Sequence, residues 1–138
     1  MTIRWVFGLF FIALVGAVAS PSEQDDGRRK IQDLMNRKLK HTQKVLEGVA
    51  LGNFDMIANN AEELTAASKA AEWHVVKTPK YELYSNDFRR LVEMLRKEAK
   101  DKNLDGAALA YVELTLNCVK CHKYVRETRD TAIGRPDF

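Results

Sequence analysis

The sequence has only two cysteines among its 138 residues, Cys118 and Cys121, near the carboxyl end. That excludes the multiply bridged framework of small secreted domains. A bridge between these two would close a very small loop and add little stability. Proline is scarce, with three residues, and glycine numbers seven. No segment alternates apolar and polar residues between turn signals, so nothing predicts a sheet. The longest apolar run, Trp5–Val18, falls short of the about 20 residues that a membrane span needs. Charge of one sign is also missing: 22 basic residues stand against 19 acidic ones, for a net +3. Runs such as Arg28-Arg29-Lys30 and Arg96-Lys97 are mixed with acids and read as solvated faces, so the electrostatic footprint of a nucleic-acid binder is absent.

The first residues have the pattern of an export signal. Arg4 supplies positive charge, the apolar run follows, and Ala17-Val18-Ala19 offers an A-x-A cleavage site. Residues 1–19 are expected to be a signal peptide, 20–130 one compact domain and 131–138 a tail with Gly134 and Pro136. A periplasmic or secreted protein with no stable membrane span after cleavage is the corresponding expectation.

Apolar residues recur at spacings of three and four in four stretches, which predicts amphipathic helices. The first covers about 28–51, with Ile31, Leu34, Met35, Leu39, Thr42, Val45, Leu46 and Val49 on its stripe. Gly52-Asn53 is a stop-and-restart signal, Gly suited to a left-handed cap and Asn to an N-cap. The second helix runs from Phe54 to about Trp73. After His74–Lys80 the third begins either with Thr78 as cap and Pro79 at its first position, or at Ser85. The fourth follows Asp105, read as its N-cap, and fades near Arg129. Asp101–Gly106 resembles the start of a calcium loop, but Val112 stands at the twelfth position where a bidentate Glu is needed, so it reads as a turn. The fold expected is all-α, an antiparallel four-helix bundle.

On the fourth helix, Cys118-Val119-Lys120-Cys121-His122 spells C-x-x-C-H, the attachment pattern of c-type haem. Positions i, i+3 and i+4 share one side of a helix, so two sulfurs and an imidazole can address one flat ligand. One covalent haem is therefore expected, bound through thioethers to Cys118 and Cys121 with His122 as an iron ligand, which makes this the haem-attachment helix. Tyr111, Leu114 and Thr115, one and two turns earlier, are expected to pack against the porphyrin. A redox dithiol would call for an alternating strand and helix setting. A structural zinc would need a fourth ligand beyond Cys118, Cys121 and His122, and His41 or His74 could supply it only by an accident of folding. Otherwise His41 and His74 read as solvated, and Met56 and Met94 lie beside their helices' apolar stripes.

Over nearly all of residues 28–130 the chain resembles the class II cytochromes c, the family of cytochrome c-prime and its low-spin relatives, on its four helices and the late position of C-x-x-C-H. The family often continues C-H-x-x-Y-R. Here His122-Lys123-Tyr124-Val125-Arg126 keeps the Arg and has the Tyr one place early. The resemblance implies a distal position on the first helix at or within a residue of Met35, with Leu34 or Leu39 filling it if the register slips. A Met there closes the sixth iron position and gives a His/Met electron-transfer haem, whereas an apolar residue leaves iron open to small gases such as NO and CO. Met35 reads either as an iron ligand or as flexible core packing. Lys38, one turn later, reads as a snorkelling surface residue or as a partner for a haem propionate. The function expected is single-electron transfer without enzymatic turnover, through transient contacts with redox proteins. A homodimer through the first two helices is a further implication of the resemblance.

Overall fold

The computed structural model of the chain describes residues 21–73 and 76–132. The expected signal peptide, His74 and most of the tail lie outside them. Four helices, α1 (Pro21–Leu51), α2 (Phe54–Ser68), α3 (Pro79–Lys100) and α4 (Leu104–Ala132), form a four-helix bundle, with one 3-10 turn at Ala71–Trp73. Among the described residues there is no strand, and no helix is long and apolar enough to cross a membrane.

Helix α1 begins seven residues ahead of the expected start. The extension carries Asp25–Arg29 and Asp26–Lys30 pairs at i, i+4, acid before base, which is the favourable orientation on a helix. Its end follows the sequence signal: Gly52 takes φ 62°, and the Asn53 side chain accepts a hydrogen bond from the Met56 amide at 3.0 Å. The second helix stops at Ser68, earlier than expected, and Trp73 is reached through the 3-10 turn. Of the two starts open for α3, the structure has Thr78 as cap, its hydroxyl accepting from the Tyr81 amide, with Pro79 in the first turn. The cap of α4 differs from expectation. Asn103, not Asp105, holds the helix start, accepting from the Gly106 amide at 3.1 Å, because the left-handed Lys102 (φ 53°) turns the chain two residues sooner.

The core is centred on α3, which buries Tyr81, Phe88, Leu91, Val92, Leu95 and Ala99. Leu34 and Val45 face it from α1, and Ile57, Ala61 and Leu64 from α2. From α4 it receives Leu114 and two small residues, Ala107 and Ala110, that allow close approach. The seams α1/α2, α2/α3 and α3/α4 are extensive, whereas α1 and α4 touch far less. That thin seam positions the site.

Candidate functional site

Along α1, Leu34, Lys38, His41, Val45 and Gly48 follow one another at alternating steps of four and three, so they form a single face. Leu34, Val45 and Gly48 are buried on it, and Lys38 and His41 are half-buried. Met35, Leu39 and Thr42 therefore fall on the adjoining face, turned toward α4. On α4, the core-facing residues Ala107, Ala110 and Leu114 leave Tyr111, Thr115, Cys118 and His122 facing α1 by the same geometry. Between the two faces lies a cavity of about 360 Å³, lined by Met35, Lys38, Leu39, Thr42, Tyr111, Thr115, Cys118 and His122 among others.

The structure thus brings Met35, Tyr111, Thr115, Cys118 and His122 to one cavity. Two of the expected residues lie elsewhere. Leu114 is wholly buried in the core, and Cys121 is half-buried against its margin. The reason is rotational: positions 114 and 121 sit on the inward side of α4, next to the side that lines the cavity.

Both thiols are free. Burial pushes the Cys118 thiol above its usual range, with the Lys38 charge opposing the shift. Cys121 is raised in the same way, again chiefly by burial. His122 is exposed at the cavity edge, yet its pKa is lowered, first by loss of solvent and then by the charges of Lys38 and Arg126. These shifts leave neutral thiols and a neutral imidazole near pH 7, and a neutral imidazole has a ring nitrogen free to ligate a metal. Among the described residues no three His, Cys, Asp or Glu side chains come together to hold a bare metal ion. Paired thiols and an imidazole on one turn beside a largely apolar cavity form a donor set that suits a haem.

Three residues, Lys38, His41 and Met94, depart from their sequence reading. Lys38 is neither a surface residue nor directed at solvent: its Nζ lies over the Trp73 ring at 4.0 Å and the Phe88 ring at 4.3 Å. His41, expected to be solvated, donates from Nδ1 to Asn60 Oδ1 at 3.0 Å between α1 and α2. Met94 packs half-buried against the core, where its sulfur accepts from Arg90 at 3.2 Å. Tyr124 meets Thr78 hydroxyl to hydroxyl and tilts against Tyr84. The four-three spacing that joins Leu34 to Val45 through Lys38 and His41 is the sequence signal that could have found the first two.

No family model, no curated protein and no solved structure matches the chain.

Proposed function

We propose that this chain is a c-type cytochrome of the class II kind, an exported carrier of single electrons with one covalent haem and no catalytic turnover of its own. The observation that carries the reading is the sequence Cys118 to His122 on one turn of α4, with Cys118 and His122 opening onto the cavity that Met35 lines from α1. When bound, a haem supplies the reversible one-electron couple of its iron. Cys118 and Cys121 would hold the haem covalently, each thiol supplying the sulfur of one thioether and its proton going to the carbon beside the new C–S bond. A ring nitrogen of neutral His122 and the Met35 thioether would be the groups that hold the iron, a His/Met pair that raises the reduction potential. Leu39 and Tyr111 add apolar surface to the cavity wall.

Redox partners meet such a carrier through small, transient interfaces. The A-x-A pattern at the end of the apolar run supports the exported part of the reading.

One observation favours a second reading. Leu39 lines the same wall as Met35, and if the apolar residue faces the iron, the sixth position stays open and the protein binds small gases such as NO and CO.

The test is the intact mass of the exported protein together with its oxidised and reduced absorption spectra. A mass increased by one haem, with a low-spin spectrum in both states, is the expected result. A colourless polypeptide with two titratable thiols would end the cytochrome reading. A high-spin haem that takes up carbon monoxide without displacing a ligand would select the second one.

A further inference from the structure

We propose that Lys38 is a caged positive charge beside the haem that favours the reduced iron. The inference rests on the cytochrome reading above and concerns a residue that reading leaves without a role.

Lys38 projects from the inner face of α1, and its amine lies over two buried rings, at 4.0 Å from the Trp73 centroid and 4.3 Å from that of Phe88. The rings are themselves fixed, packed on each other at 4.8 Å. The Trp73 indole donates to Ser85 Oγ at 2.9 Å, and the Trp73 carbonyl accepts from the Tyr81 hydroxyl. Aromatic faces carry negative charge density and attract a cation, so this cage holds an ammonium in one place. Lys38 has no carboxylate partner among the described residues. A charge withdrawn from water without a counter-ion is a cost to the fold, and an aliphatic side chain would fill the same space without it.

The position of Lys38 indicates what the charge acts on. It lines the cavity shared by Met35, Cys118 and His122. Reduction adds one electron to the iron. A fixed ammonium, itself partly withdrawn from water on the wall of the same cavity, stabilises that added charge more than a hydrated surface Lys does. Lys38 acts here as a positioning charge, with Trp73 and Phe88 as its support.

The test uses the haem-loaded, exported protein and three variants, Lys38→Met, Lys38→Arg and Lys38→Gln, the last retaining a polar tip in case Met disturbs folding. Intact mass is measured first, so absence of haem from the parent is seen separately and removes the cytochrome reading and this proposal together. At the potential where the parent is half reduced, Lys38→Met and Lys38→Gln should show a reduced-to-oxidised ratio about tenfold lower, the order expected of one charge acting through partly buried protein. Their axial-ligand spectra should match the parent, and Lys38→Arg should restore the ratio to within about threefold. A ratio unchanged in both neutral variants overturns the proposal. So does loss of the low-spin spectrum in Lys38→Met while Met35→Ala keeps it, since the amine would then be an iron ligand and not a neighbouring charge.

Discussion

The hydroxyls of Thr78 and Tyr124 meet at 2.7 Å, joining the start of α3 to the far end of α4. Thr78 also caps α3 through the Tyr81 amide, so one side chain serves two contacts. Tyr124→Phe removes only the inter-helix bond and should cost about 1 kcal/mol. Thr78→Ala removes that bond and the cap together and should cost roughly twice as much. Urea midpoints of the two single variants and the double variant test this. If the effects of Tyr124→Phe and Thr78→Ala add fully, the two hydroxyls are not coupled.

Tyr81 makes the fold sensitive to alkali. Burial pushes its phenol up to about 12, with the nearby Cys121 and Glu82 raising it further and Arg89 opposing them. Between the ordinary value near 10 and that raised one, the folded chain holds a proton that the unfolded chain has released. Stability should therefore fall as pH rises through this window. Tyr81→Phe should flatten the decline, and a thermal-melt series from pH 9 to 12 that keeps the parent's slope in the variant would rule the assignment out.

Gly48 tests close approach of α1 and α2. In an exposed helix interior Gly→Ala is favourable by about 1 kcal/mol. At Gly48 an added Cβ would lie 2.9 Å from Ile57 Cγ1, 3.1 Å from the Ile57 amide nitrogen and 3.2 Å from the Asn53 carbonyl oxygen. Two of those atoms are backbone and cannot swing away, so crowding of about 1–3 kcal/mol should outweigh the propensity gain. Gly48→Ala is expected to melt lower than the parent; a higher melting temperature would mean that the helices part easily.

Under the proposed function, Met35→Ala should open the sixth iron position. The haem protein is expected to change from low-spin to high-spin and to bind carbon monoxide in its reduced state. An unaltered spectrum would show that another group closes the iron.

The four helices were legible because each stretch carries a three-and-four apolar rhythm with chemical punctuation at Gly52-Asn53 and Thr78-Pro79. Helix ends were less so. Exposed ion pairs at Asp25–Arg29 and Asp26–Lys30 prolong α1 without any apolar signal, and the α4 cap moved to Asn103 because a left-handed Lys102 cannot be read from residue type. The C-x-x-C-H turn is local in sequence, so Cys118, Cys121 and His122 could be singled out as candidates from spacing alone. The opposite wall could not be read as surely. Lys38 and His41 lie on the inner stripe of α1, where polarity argues for solvent; only a ring cage from Trp73 and Phe88 and an amide from Asn60 make those positions tenable. Such partners come from other helices, and no local window contains them. On α4 the pattern is blurred further, because Leu109, Val112, Leu116 and Val119 stay exposed while small alanines face the core.

The uneven seams of the bundle have a consequence for how a flat guest arrives. Three of the four helix pairs are zipped along their lengths, and the first and last helices barely grip each other. Under the proposed function, a planar molecule entering edgewise between those two would need one side prised open and not the whole scaffold melted.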